Sequence, residues 1–445
     1  MISYHLAKKL YIGGGSLLGE NVHKHLVNLK NNQWLKGDKL LDLQWIKFIK
    51  ILNHAYLKSA YYNEKFNAYG IKPSDIKSSS DLYRIPILTK TDLRNNYTRL
   101  IVNNKNYKYT MAKSSGSTGQ AVKFFKDRNA SGHSRAAMYL GHSWYGLDIG
   151  HREAKLWGIP NNLASKVISR TGDYLLNRFR EKNFQLDEET LNSFYQKIKK
   201  YKPHYLMGYT SMVYEFANYL QSMGIDASKF ALKMVKVTAE TVFDYQRALI
   251  EKVFASPVAV EYGAAEVGIV AFECPHKGLH IITEGVFVEE YNTQVHNLRE
   301  FIITDLNNFY SPIIRYKIGD YGCFLNKTCS CGRELPLLKE VVGRTSDIVY
   351  KADGSPIHSS VFSYILKDIT ERNGGITQYK VYQKKKGYLE IHLVKGIKFN
   401  QNTINILLNS IKKYMGKDII IKIVEVQKIG REPSGKLRYF VSEVK

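Results

Sequence analysis

Long hydrophobic runs are missing from this 445-residue chain: no stretch approaches the roughly 18 consecutive apolar residues that a membrane-spanning helix needs, so no transmembrane segment is expected. The N-terminus, MISYHLAKKLYIGGGSLLGENV, lacks a basic segment followed by an unbroken apolar core and a small-residue cleavage site. It does not read as a signal peptide, and the expected address is cytoplasmic. Cysteine is scarce, four in all, and Cys329 and Cys331 stand one residue apart. That suits metal binding or reduced thiols better than a disulfide framework. Acidic residues number 40 against 65 lysines and arginines, a formal net charge of +25. The excess suits anionic partners such as nucleotides, acidic lipids or nucleic acid. Yet the lysines are spread along the chain, clustering only briefly at YQKIKKYKPHY (195–205) and KKK (384–386). No nucleic-acid motif accompanies them, so a Lys-rich solvated surface is the plain reading and no nucleic-acid partner is expected. The phosphate loop GxxxxGK[ST] is also absent, which disfavours a kinase or ATPase of that type.

What remains is globular: 44% hydrophobic and 24% charged residues, in a length that favours two or three domains. Residues 1–110 read as a mostly helical N-terminal part, with amphipathic stretches such as LLDLQWIKFIKILNHAYLKSAYYNEKF. From 111 to 343, short runs rich in Val, Ile and Tyr recur between helical segments: AVKFF, AKLWGI, HYLMGY, LKMVKVTA, PVAVEYG, HIITEGVFVEEY, EFIITDL and IIRYKIGDYGCFL. They predict a large α/β domain. After GRTSDIVYKADGSP (343–356) the texture changes to helix, hairpin-like strands, helix and strand, a small C-terminal α+β domain over 347–445.

The segment MAKSSGSTGQAVKFF gathers Ser114, Ser115, Gly116, Ser117, Thr118 and Gly119. Glycines free their backbone N–H groups to converge on an anion, and a polyphosphate is the natural guest, with a flexible surface loop as the plain alternative. Downstream lie EYGAAE (261–266), TDLNNFYSPIIRYKIGD (304–320), GRTSD (343–347) and REPSGK (431–436), each pairing glycine with a charged residue. In this order the motifs resemble the adenylate-forming superfamily of acyl-CoA synthetases, peptide-synthetase adenylation domains and luciferases. The entry segment NEKFNAYGIKPSDIKSSSDLYRIPILTKTDLRNN and the pair ECPHKGLH and CSCGRELP look like the phenylacetate–CoA ligase-like branch, particularly members associated with capsular polysaccharide synthesis.

The resemblance implies that the Ser/Gly/Thr loop holds the ATP β- and γ-phosphates. Gln120 and Ala121 stand where many relatives have Lys and Pro. Tyr262 would pack on adenine, Gly263 and Ala264 border the carboxylate and α-phosphate, and Glu266 bind Mg²⁺. Ala239, Glu240 and Thr241 would form the other adenine wall. Asp320 would accept from the ribose hydroxyls, with Arg344 beside it on ribose or phosphate. GRTSD would hold the hinge, although Ser346 stands where relatives often have a charged residue. Lys436 would be the catalytic lysine, on a mobile loop of the small domain. Regions 135–144 and 208–211 fall where relatives form the acyl pocket, and Trp144, Tyr145 and Tyr209 could wall an aromatic substrate or simply pack.

The implied reaction joins ATP and a small carboxylate into an acyl-adenylate and pyrophosphate, then passes the acyl group to coenzyme A or an amino sugar; a homodimer is left open. Cys274, His280, Cys329 and Cys331 make a Cys-x5-His and Cys-x-Cys set suited to tetrahedral structural zinc, with His276 a competing ligand and Cys323 a spare thiol. Reduced buried thiols are the alternative. Two other functions compete: a non-catalytic nucleotide-binding member of a biosynthetic complex, and a basic nucleic-acid or membrane-surface binder.

Overall fold

The computed structural model describes residues 2–444 apart from 105, 115–121, 158–171, 182–185, 293–298, 345–347, 368, 370–374 and 433–434. Its centre is an 11-stranded sheet. In spatial order the strands are Val286–Asn292, Arg299–Asp305, Tyr316–Leu325, Leu337–Arg344, Leu279–Ile281, Gly268–Glu273, Val258–Ala264, Met234–Thr238, Tyr205–Tyr209, Glu153–Leu156 and Arg178–Glu181.

The sheet has two characters. From Val258–Ala264 to Arg178–Glu181 neighbouring strands are parallel. Tyr205–Tyr209 and Met234–Thr238 are buried at every residue, as strands covered on both faces must be. Helices Glu188–Tyr201, Thr210–Ser222 and Asp244–Phe254 supply one cover through Phe194, Phe216 and Phe254. The other half, from Gly268–Glu273 to Val286–Asn292, is antiparallel. The N-terminal helix Gly37–Lys58 packs there. In Gly37–Lys58 the buried residues Leu40, Gln44, Phe48, Ile51, Leu52 and Ala55 recur every three or four positions, one helical face turned inward. Gln44 Nε2 donates to the Val286 carbonyl at 2.7 Å, tying that face to the sheet.

The predicted strand runs all form, with two adjustments. HIITEGVFVEEY is two strands rather than one, because the Gly285 N–H donates back to Ile282 O at 2.7 Å and turns the chain. In IIRYKIGDYGCFL the strand begins only at Tyr316. Arg315 has φ +48, and its buried guanidinium donates to the Leu82 and Ile85 carbonyls and pairs with Glu289. That anchor bends the chain before the ladder starts.

The C-terminal segment builds a four-stranded sheet in the order Ile420–Glu425, Tyr388–Lys395, Ile376–Lys385, Phe440–Ser442. Helix Gln401–Met415 packs on it through Leu407, Ile411 and Met415, one residue per turn, capped by Asn400 and ended at Gly416 (φ +98). Among the described residues, its apolar core is built from residues 349–440. No helix among the described residues is long and apolar enough to cross a membrane.

Candidate functional site

Open parallel sheets present ligand-binding loops at the carboxyl ends of their strands. Among those ends are Tyr209, Thr238 and Ala264, and Ser211, Glu240 and Leu437 meet beside the first two.

In sequence, the Ser/Gly/Thr segment falls between two paired strands. Tyr109–Lys113 pairs antiparallel with Lys123–Asp127. Ser114 extends the pairing, its N–H donating to Val122 O at 2.9 Å and its Oγ accepting from the Val122 N–H at 3.1 Å. Ser115, Gly116, Ser117, Thr118 and Gly119 lie outside the described residues, as do Gln120 and Ala121. The hairpin base is locked to TDLNNFYSP. Asp127 caps helix Arg128–Ser143 by accepting from the Ala130 N–H at 2.7 Å, and it also accepts from the Phe309 N–H at 2.8 Å. Asn308 Nδ2 donates to Phe125 O at 2.8 Å. Part of this motif therefore braces the strand that follows the phosphate-loop candidate.

EYGAAE sits where the parallel half meets the antiparallel half, turning Val258–Ala264 into Gly268–Glu273. The pairing shifts register between Tyr262 and Gly263. A Cβ on Gly263 would come within 2.4 Å of the Gly268 carbonyl, so the close approach requires glycine. Glu266 is buried in the turn. The Tyr262 hydroxyl donates to Asp320 Oδ2 at 3.0 Å. Asp320 pairs in register with Arg344, whose side chain lies outside the described structure; Ser346 lies outside it altogether.

Ala239 ends Met234–Thr238 in the left-handed region, φ +66, a conformation that costs a non-glycine residue roughly 1–2 kcal/mol. Glu240 follows. Its Oε2 accepts from the Ser211 N–H at 2.8 Å and its Oε1 from the Leu437 N–H at 2.7 Å. Thr241 is exposed. Leu437 is the residue after Lys436, so the candidate catalytic lysine and the candidate adenine wall meet. Arg431, from the same loop, donates to Ser211 Oγ and Glu215 Oε1, each at 2.6 Å. Burial pushes the Glu240 and Glu215 carboxyls up, while hydrogen bonds from Ser211 and Leu437 oppose the rise at Glu240 and Arg431 opposes it at Glu215. Glu215 carried no signal in the sequence, and Arg431 only its place in REPSGK.

Of the aromatic residues considered for an acyl pocket, Tyr209 stacks on Trp157 at 4.2 Å, and the Lys155 ammonium lies 4.8 Å above the Trp157 ring. Burial lowers the Lys155 ammonium to about 7. Trp144 stands elsewhere, edge-on to His280 with ring centroids 5.5 Å apart. The Tyr145 hydroxyl donates to Glu273 O at 3.0 Å, a packing role.

Cys274, His280, Cys329 and Cys331 converge, their ligand atoms all within 4.8 Å of one another. Cys274 Sγ and Cys329 Sγ are 3.6 Å apart, close to the roughly 3.7 Å edge of a tetrahedron with about 2.3 Å zinc–sulfur bonds. Cys331 Sγ and His280 Nε2 are 3.2 Å apart, and His280 Nδ1 lies 3.2 Å from Leu335 O, a contact that orients the ring. Burial lowers His280 to about 4, leaving the neutral imidazole that a metal binds, and raises Cys274 to about 12. At Cys331 burial raises the thiol, but hydrogen bonds from Arg333 outweigh it and the net shift is downward. Gly278 makes the room: a Cβ there would sit 2.7 Å from Cys329 Sγ. His276 contacts Ser330 Oγ at 3.0 Å and is outside the cluster, as is Cys323.

A family profile described as the CapK C-terminal domain matches residues 349–443. Protein CapK of Staphylococcus aureus is 26% identical over 422 residues, covering 91% of this chain and 90% of that protein. The phenylacetate–coenzyme A ligase of Aromatoleum evansii is 26% identical over 337 residues, 70% of this chain and 72% of the relative. Among solved structures, 2-hydroxyisobutyryl-CoA ligase in its postadenylation state superposes with a TM-score of 0.74 at 16% identity, covering 93% of this chain and 92% of that one. The same ligase in the thioesterification state gives 0.57.

Proposed function

We propose that this homologue of CapK and of the phenylacetate–coenzyme A ligases activates a small carboxylate with ATP and transfers the acyl group to coenzyme A or to an amino sugar in polysaccharide assembly, a reading that its likeness in fold to 2-hydroxyisobutyryl-CoA ligase supports. The observation that carries this is the meeting of the Lys436 loop with the strand-end residues, through the Leu437 N–H and Glu240 at 2.7 Å.

In the first step a carboxylate oxygen attacks the α-phosphorus of ATP, forming one P–O bond as the bond to pyrophosphate breaks. Two anions approach, so the chain's task is charge neutralisation and alignment. Lys436 supplies a cation to the carboxylate and α-phosphate. The Ser114–Gly119 loop holds the leaving phosphates, and Tyr262, Ala239, Glu240 and Thr241 bound the adenine. Asp320 and Arg344 hold the ribose, while Gly263 and Ala264 give the backbone room to approach the reacting atoms. Glu266 would hold Mg²⁺, which neutralises phosphate charge when bound. In the second step a thiol or amine attacks the acyl carbon, loses its proton and releases AMP. The segment after residue 347 acts as the mobile small domain, hinged at 343–347. An ATP-consuming reaction of this kind suits the cytoplasm.

Cys274, His280, Cys329 and Cys331 fit a structural zinc, which would clamp the turn after Gly268–Glu273 to the segment leading into Leu337–Arg344. The test of the activity is mass spectrometry of the protein incubated with Mg²⁺, ATP and a panel of aryl, fatty, amino and sugar carboxylates, with coenzyme A or amino sugars added second. An acyl-AMP formed from one acid and consumed by one acceptor is the expected result. ATP binding with no adenylate from any class of acid would favour a non-catalytic nucleotide binder.

A further inference from the structure

We propose that Glu240 is a positioning residue for Lys436: its carboxylate latches the small-domain loop to the large domain in the pose that adenylation requires. The inference rests on the ligase reading above and assigns Glu240 a task beyond bounding the adenine.

The carboxylate is fully engaged by protein. One oxygen accepts from the Ser211 N–H, in the first turn of helix Thr210–Ser222; the other accepts from the Leu437 N–H. A negative charge at the start of that helix is favourable, and the same charge strengthens the bond to Leu437. The left-handed Ala239 turns Glu240 out of the strand end to reach both donors. The Glu240 main-chain carbonyl is held as well, accepting from Thr210 Oγ1 at 3.2 Å. Glu240 thus has a fixed backbone and a fixed carboxylate.

Lys436 is braced on its other side by Arg431. That guanidinium, with 5% of its side chain exposed, donates to Ser211 Oγ, to Glu215 and, at 3.2 Å, to the Gly435 carbonyl. Within the loop, the Glu432 N–H donates to Lys436 O at 3.0 Å and the Gly435 N–H to Glu432 O at 2.8 Å, with Gly435 at φ +86. The turn therefore has one anchor before Lys436 and one directly after it, and both converge on Ser211. Any rotation that withdraws Lys436 must break the Glu240–Leu437 bond and the Arg431–Glu215 pair together. An anchor one residue from Lys436 fixes where its side chain starts, and small displacements of a catalytic group are costly to rate.

The experiment compares wild type, Glu240→Ala and Glu240→Gln in two ways. Hydrogen exchange of peptides spanning 430–440 reads the latch without any need for activity, and carboxylate-dependent ATP–pyrophosphate exchange reads its consequence. The alanine variant is expected to lose protection at Leu437 and to lower the maximal exchange rate at saturating ATP about 10- to 100-fold, the loss expected for a hydrogen bond to a charged group, whatever change the adenine wall brings to the ATP KM. Glutamine keeps one acceptor oxygen and should fall between. Unchanged protection in Glu240→Ala, in a variant that melts like the wild type, overturns the latch. Lost protection at full exchange rate overturns the positioning role. A rise in ATP KM with an unchanged maximal rate also overturns it, and leaves Glu240 its place in the adenine wall alone. A wild type inert toward every acid overturns the ligase reading, and the peptide protection then still decides whether Glu240 holds the loop.

Discussion

The Tyr262 hydroxyl donates to Asp320 Oδ2 across 3.0 Å, joining the EYGAAE strand to RYKIGD, strands that are not neighbours in the sheet. The bond orients the carboxylate assigned to the ribose and the ring assigned to the adenine. Asp320→Asn should therefore raise the ATP dissociation constant about 10- to 100-fold with little change in melting temperature. Tyr262→Phe, which keeps the ring, should cost less. Calorimetric ATP titration checks both, and equal affinity in all three proteins would remove Asp320 from the nucleotide site.

Glu266 is buried in the turn of the same motif. With its charge removed in Glu266→Gln, the Mg²⁺ concentration giving half-maximal adenylation should rise several-fold or more. An unchanged Mg²⁺ titration would end its assignment as a ligand.

Protein purified without chelator should contain about one zinc per chain. Cys329→Ser should lose it, and so should Gly278→Ala, since the added methyl would press on Cys329 Sγ and His280 Nε2. Both variants should melt below the wild type. Elemental analysis showing no metal in the wild type would return the four residues to reduced thiols and a packed histidine.

Asp305 is buried at the head of TDLNNFYSP, 3.8 Å from Lys126. Burial pushes its carboxyl up to about 6, against the pull of Lys126 and the Asn307 N–H. The folded state therefore takes up this proton before the unfolded chain does. Stability from the group is fully present below about pH 4 and is lost as pH rises through about 6, by roughly 3 kcal/mol in all. Asp305→Asn cannot titrate, so its melting temperature relative to wild type should improve between pH 4 and pH 7. A constant difference across that range would contradict the shift.

Much of this was legible in the sequence because it is local. Short runs rich in Val, Ile and Tyr mark the strands, and the all-buried Met234–Thr238 lies within one of them. Cysteine and histidine spacing marked a cluster whose atoms do converge. What stayed hidden depends on partners far apart in the chain. Arg431 and Glu215 are separated by 216 positions, and nothing near Glu215 distinguishes it from a solvated helix glutamate. Trp144 was grouped with acyl-pocket residues by its position, yet its ring stands against His280. Gly278 carries no mark in the sequence, because the sulfur it makes room for belongs to Cys329, far along the chain.

If Lys436 drives adenylate formation, ATP–pyrophosphate exchange separates wild type from Lys436→Ala. Wild-type exchange should depend on one class of carboxylate and fall at least about 100-fold in the variant, with ATP affinity largely retained. Equal exchange in the two proteins would contradict that role.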